Sequence, residues 1–475
     1  MLTYQEFLEA KEKSEDSMKS FIISAIGQHK GSDEFNIAVD ADAYDKQQNT
    51  TILSYIKYMY NAMGTKVEDF TASNNKLCSN FFHRLNTQRN TYLLGNGVSF
   101  TDHKVTIAHE DGTETTTDET KERLGNKFDV ALKKGGYQAL IHGVTFGFWN
   151  LDHVVFFPIT EFVPLWDEDT GNLRGGIRFW QLKPDKPMMV VLYEEDGYTK
   201  YRKAKEDATL REVEPKRAYI KTTRKTEAGG VEAIEWSNYD SFPIVPLWGS
   251  NLHQSTLVGM KGNIDIFDLV RSGFANDLDD VAEIYWIISN AAGMSELDLA
   301  KFRQKLKLNH IAQVDAENST ATPHTQDIPY NARETFLTET RNQIYEDFGA
   351  LDVHTIAAGA TNDHIDAAYQ PMDEEADDFE FQVTEFVHSI LELMGIEDNP
   401  VFKRNRISNQ NEQTQMILSA AEYLDAETIL NKLPFITVDE VSEIMARKDA
   451  EAEQQAEMMA ALQTGETGEV IEEEV

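Results

Sequence analysis

His364 stands between two acids, Asp363 and Asp366, and the chain then runs into Asp373, Glu374, Glu375, Asp377 and Asp378. Imidazole and carboxylates at this density could hold a divalent cation, as in nucleases that place two metals about 4 Å apart. Successive acids on a helix fan around it, however, so the same run also describes a solvated helix start whose charge suits the positive end of the helix dipole. Other chemistry-bearing patterns are missing. The chain has no GxxxxGK followed by Ser or Thr, no GxSxG, no HExxH and no Cys pair with zinc spacing. His310, His324 and His354 have no evident partner spacing. Gly95-Asn96-Gly97 could begin a phosphate loop, but it follows a helical pattern rather than a strand, and reads as a helix stop. The turn from Asp167 to Gly171 lacks the regular oxygen positions and closing Glu of a calcium loop, and reads as a hairpin.

These residues sit in a chain of 475, room for about three domains at roughly 150 residues each. Its hydrophobic fraction of 41% is enough for a substantial core. The net charge of −37 opposes tight wrapping of nucleic acid, since that affinity comes chiefly from Lys and Arg neutralising phosphates. An acidic surface is also a common route to solubility. There is no run of 18 apolar residues, and MLTYQEFLEAKEKSEDS is charged where a signal peptide needs an apolar stretch, so the expectation is a soluble protein, neither secreted nor membrane-spanning. Cys78 is the only cysteine and cannot form an intrachain disulfide, which suits a reducing compartment.

Helical spacing predicts helices over 49–63, with Ile52, Tyr55, Ile56, Met59 and Tyr60, and over 74–94, with Leu77, Phe81, Phe82 and Leu85. From 154 to 247 the pattern turns to strands, with hairpin turns at DEDTGN and EEDG. A proline-free helix is expected over 257–292, on the order of 50 Å long, with Asp265, Asp268, Asp277, Asp279, Asp280 and Glu283 keeping much of its remaining surface negative. Beyond it lies a small module carrying the densest basic cluster nearby, Lys301, Arg303, Lys305 and Lys307. A second helix is expected over 332–348, and another over the run DEEADDFEFQVTEFVHSILELMGI. Between these two, residues 347–370 are small and polar and read as a long loop, which inside a compact domain is either functional or disordered. The C-terminal part is helical again, and GETGEVIEEEV reads as a disordered acidic tail.

Read in order, these pieces resemble the portal proteins of tailed bacteriophages, in the SPP1-type branch. AYDKQQNTTI, NNKLCSNFFHRLNTQRNTYLLGNGVSF, LKKGGYQALIHGVTFGFWNLD, the transition FPIVPLWGSNLHQSTLVGMKGNIDIFDLVRSGFANDLDDVAE and YLDAETILNKLPFITVDEVSEI carry the resemblance, across roughly residues 43–451. It departs from the family where Ala-Gly-Ala-Thr-Asn-Asp stands in place of a Ser-Gly-x-Ala-like sequence. The resemblance implies an α+β portal-protein fold with a mixed α/β wing, long stem helices, a small α/β clip and a helical C-terminal crown. The implied divisions are a wing over 1–256, a stem helix over 257–293, a clip over 294–331, a returning stem helix over 332–349, a tunnel-loop region over 350–370, a return to the wing over 371–407, a crown over 408–460 and the tail over 461–475.

It further implies a non-enzymatic ring of about twelve subunits at one capsid vertex, assembled in the host cytoplasm and resident in the virion. Double-stranded DNA would pass through it without sequence specificity and without a metal or cofactor. The terminase large subunit, a head-completion adaptor, and the capsid and scaffolding proteins would dock to it. Val353, His354, Thr355, Thr361, Asn362, Asp363 and His364 would face DNA in the tunnel loop, the six acids of the long helix would line the stem, and Lys301, Arg303, Lys305 and Lys307 would meet the motor or a neighbouring subunit. A metal-dependent hydrolase or nuclease using the acids after Thr361, and an acidic adaptor or scaffold without a channel, are the competing readings.

Overall fold

The computed structural model describes residues 2–60, 64–70, 72–108, 114–207, 209–225, 231–281, 285–289, 320–324, 330–355, 361–406, 410–420 and short stretches between 428 and 448. The chain divides into two compact units, Met1–Ala350 with Pro371–Asn405, and Leu351–Gln370 with Arg406–Val475.

In the first unit an antiparallel sheet of five strands runs in the order Arg211–Arg217, Gly197–Lys203, Met188–Glu194, Leu173–Trp180, Phe162–Trp166, each strand pairing with its neighbour in sequence. Its turns follow the chemistry expected of them. The Asp167 carboxylate accepts from the N–H groups of Asp169 and Thr170 and from the Thr170 hydroxyl, and Gly171 supplies a positive φ of 70°. The helices Tyr4–Lys13 and Glu15–Lys30 lay Phe7, Ile22 and Ile26 on this sheet against Val163, Ile177 and Leu192. A three-stranded sheet, Ile244–Trp248, Val144–Trp149 and Val154–Pro158, packs Phe146 and Phe157 against Phe162 and Tyr193. Behind it the helices Phe81–Leu94 and Phe128–His142 share a core with Phe379, Phe386 and Ile390.

Three expectations fail. The helix expected over 49–63 is one turn, Thr50–Leu53, after which Tyr58–Tyr60 is a strand paired with Lys66–Glu68. The sequence Tyr-Ile-Lys-Tyr-Met-Tyr is rich in the aromatic and β-branched residues that suit a pleated ribbon, and pairing overrode a coincidental helical spacing. The helix expected over 74–94 begins only at Phe81, and residues 73–80 before it are neither helix nor strand. The helix expected over 257–292 ends at Val281, and Tyr285–Ser289 forms a ladder with Thr320–His324. Tyr-Trp-Ile-Ile is a strand-forming run that happened to continue the three-and-four spacing. Among the described residues no helix is long and apolar enough to cross a membrane.

Candidate functional site

Two helices dominate the functional region: an outgoing one, Leu257–Val281, and a return one, Tyr330–Phe348. They pack on the helices Asp33–Asp45 and Phe81–Leu94 through Met260, Ile264, Ile344, Tyr345 and Phe348. An ion pair between Asp277 and Arg333 joins the two directly.

Along the outgoing helix runs a strap of extended chain, residues 73–80. Its alternate N–H groups donate to side chains four residues apart: Asn75 to Asn276 Oδ1 at 2.6 Å, Leu77 to Ser272 Oγ at 2.9 Å and Ser79 to Asp268 Oδ1 at 2.8 Å. The match is geometric. Two residues of extended chain rise about 6.6 Å and four residues of helix about 6 Å, so the two ladders stay in phase over three rungs. The strap runs antiparallel to the helix, and Asp268, Ser272 and Asn276 are buried beneath it.

The six acids expected to keep the helix surface negative therefore divide. Asp268 is wholly buried, a correction to that expectation; it also accepts from the Asn49 amide. Burial raises its carboxyl above the usual range, against the hydrogen bonds from Asn49 and Ser79, which lower it. Asp265 accepts from Tyr44 and from Thr51, at 2.8 Å, and faces Lys261 at 3.6 Å. Asp277 pairs with Arg333, and Asp279 accepts from the Asn75 amide. Asp280 lies on the helix with its side chain outside the described residues, as does all of Glu283. Lys301, Arg303, Lys305 and Lys307, and most of 294–331, also lie outside them.

In the second unit Val353–Thr355 forms a single 3-10 turn in which Val353 is 57% exposed and the His354 N–H donates to Asp352 at 3.1 Å. The long loop expected here is shorter, because a helix runs from Asn362 to Met394. Thr361 precedes it, its carbonyl accepting from Ile365 N–H and its hydroxyl 2.7 Å from His364 Nδ1. Asn362, Asp363 and His364 are thus a first helical turn. The signal was present: a Thr-Asn-Asp start, then Ile365, Tyr369, Met372, Ala376 and Phe379 buried at helical spacing. Pro371, inside the helix, masked it.

Most of the acids that could have served a metal are engaged with cations and donors. Asp373, Asp377 and Glu380, on one face of the long helix, converge on the guanidinium of Arg404, with contacts of 2.9 Å to Asp373 and Glu380. Asp373 also accepts from Tyr92 at 2.6 Å. Glu375 meets the buried Arg89 at 3.0 Å, Asp378 accepts from the Asn251 N–H at 3.0 Å, and Asp366 pairs with Arg406 at 3.2 Å. Arg404 and Arg89, the organising cations, escaped sequence reasoning because each lies more than 20 residues along the chain from its acids. Among the described residues no three His, Cys, Asp or Glu side chains converge where a metal ion would sit.

Residues 37–457 match the sequence model of the family described as phage portal protein, SPP1 Gp6-like. The portal protein of Bacillus phage SPP1 is 25% identical over 444 residues, 86% of this chain and 82% of that protein. The portal protein of Clostridium phage phiCD119 is 28% identical over 218 residues, 43% of this chain and 47% of that one. Among solved structures, a chain from the virion of a native gene transfer agent particle aligns over 73% of this chain and 88% of its own, with a TM-score of 0.41 and 8% identity.

Proposed function

This chain belongs to the SPP1 Gp6-like family of phage portal proteins, and from that premise we propose that it closes into a ring of about twelve copies at one capsid vertex, a channel for double-stranded DNA in packaging and ejection. The observation that carries the reading is the family match over 37–457, which takes in both paired helices and the long helix. The outgoing and return helices act as the stem. Residues 294–331 act as the clip that receives the terminase large subunit and, after packaging, the head-completion adaptor. Residues 408–460 form the crown on the capsid side, and the capsid and scaffolding proteins hold the wing.

The tunnel loop is the segment between the end of the return helix at Phe348 and Thr361, with His354 and Thr355 nearest the DNA and Asn362, Asp363 and His364 at its hinge with the long helix. Exposed Ile266, Leu269 and Leu278 on the outgoing helix support self-association, since such side chains along one helix are covered in an assembly. A net charge of −37 per copy supports passage rather than grip: phosphates repelled by the walls slide where basic walls would hold them. The ring itself carries out no chemistry, and ATP hydrolysis belongs to a separate motor.

Negative-stain electron microscopy of the purified protein, with its solution mass measured in parallel, tests the proposal. Rings with an open centre and a mass of about twelve chains are expected. A monomer that persists at high concentration and in the presence of scaffolding protein would sink it.

A further inference from the structure

Among the described residues the ribbon of Tyr58–Tyr60 and Lys66–Glu68 pairs with no third strand, and a two-stranded ribbon alone is marginally stable in water. Yet it and its flanks expose six large apolar side chains, Tyr55, Ile56, Tyr58, Met59, Tyr60 and Phe70, with Tyr60 75% and Phe70 86% accessible. Aromatics and Met clustered in this way mark an interface rather than a solvated surface. The segment is also slightly basic. Residues 54–76 carry three lysines against one Glu and one Asp, in a chain whose net charge is −37. Lys66 lies 4.2 Å over the Tyr58 ring, so cation and aromatic surface are offered together.

Elsewhere in the same unit is a groove of about 700 Å³ with the complementary character. Trp166, Phe242, Pro246 and Trp248 form its floor, the two indoles stacked 6.0 Å apart, and His253 stacks on Trp248 at 3.9 Å. Its rim carries Glu168, Glu385 and Glu392, all exposed and, among the described residues, none with a cation within ion-pair distance. No residue of the ribbon lines the groove of its own chain.

We propose that the ribbon is a tongue that docks in the Trp166–Trp248 groove of the next copy of this chain, Tyr60 and Phe70 on the aromatic floor and Lys57 and Lys66 toward the acidic rim. A patch that fits a different patch on an identical chain makes a head-to-tail contact, the kind that generates a ring when the rotation closes. Charge complementarity selects a second copy as the occupant, because the apolar tongue with Lys57 and Lys66 and the aromatic groove with its three exposed rim glutamates are both on this chain. The inference rests on the ring reading above.

Cysteine cross-linking tests it. In a Cys78→Ser background, whose native thiol is the only one in the chain, Tyr60→Cys with Glu385→Cys is expected to give a ladder of disulfide-linked oligomers on oxidation, and mixed single variants to stop at dimers. Tyr60→Ser with Phe70→Ser is expected to abolish rings while leaving the circular dichroism spectrum and melting curve of the monomer unchanged. Lys66→Glu is expected to weaken ring formation, and Glu385→Lys with Glu392→Lys to restore it. Rings from the wild-type chain with no cross-link, and undiminished rings from the serine variant, would assign the tongue to a different protein and overturn this proposal while leaving the portal reading intact. Failure of the wild-type chain to form rings under any condition overturns both.

Discussion

Two buried aspartates in one unit show opposite electrostatic outcomes. Burial works against the charge of Asp398, but the Thr120 hydroxyl, the N–H groups of Asp102 and Asn399, and His103 together outweigh it and hold the carboxyl at about 2. Asp268 has fewer donors, and burial wins. The signs of linkage follow. Asp398, depressed when folded, adds stability that is complete above the ordinary carboxylate value of 3.8 and is lost as pH falls toward 2. Asp268, raised when folded, works the other way, its contribution declining as pH rises from 3.8. Asp398→Asn is therefore expected to cost about 2 kcal/mol at pH 7 and to flatten the acid limb of the stability curve between about pH 4 and pH 2. Urea melts across that range check it, and an unchanged acid limb would show that the donors around Asp398 do not govern its charge.

At the scale of elements, the strap over residues 73–80 joins an extended segment to a helix through side chains instead of a sheet edge. Ser272→Ala removes the acceptor of the Leu77 N–H, and Asn276→Ala that of the Asn75 N–H. Ser272→Ala is expected to cost about 1–3 kcal/mol, because the Leu77 N–H is left partly buried without an acceptor, and Asn276→Ala about 1 kcal/mol or less, because Asn75 is exposed and water can take its place. A one-residue insertion after Lys76 should be worse than either, since it puts Asn75 out of phase with Leu77 and Ser79, so that the three N–H groups can no longer reach their rungs together. Limited proteolysis reads the outcome. Cleavage near residues 73–80 should rise in the insertion variant before the rest of the unit unfolds, and equal protection in all variants would rule the ladder out as what fixes the strap.

For the whole molecule the governing quantity is charge. In the proposed ring, about twelve copies at −37 each would bring together roughly −440 charges, a repulsion that only short-range contacts and counter-ions would offset. Ring yield should therefore rise with ionic strength, from little near 0.01 M salt, where the screening length is about 30 Å, to full assembly near 0.15 M, where it is about 8 Å. Sedimentation velocity across that range measures it, and a yield independent of salt would mean that repulsion between copies does not govern assembly. Internal pairing, as in Arg404 with its three carboxylates and Lys261 with Asp40 and Asp265, shapes the local field but leaves the net charge of −37 in place.

Local grammar is legible in one dimension. The turn residues after Asp167, the glycine stop after Leu94 and the helical run over 332–348 all lie within a few residues of what they specify, and the serial order of such segments marks the family. Tertiary structure alone decided where the helices beside the functional region start and stop, and which acids are free. Val281 ends the outgoing helix because the strand that follows finds a partner at Thr320–His324, and a helix extends across Pro371 because its apolar face has a core to meet. Asp268 and Asp277 read identically in one dimension. One lies under a strap that arrives from residue 79 and the other meets Arg333 from the return helix, and a carboxylate's environment is set by groups brought to it from distant parts of the chain.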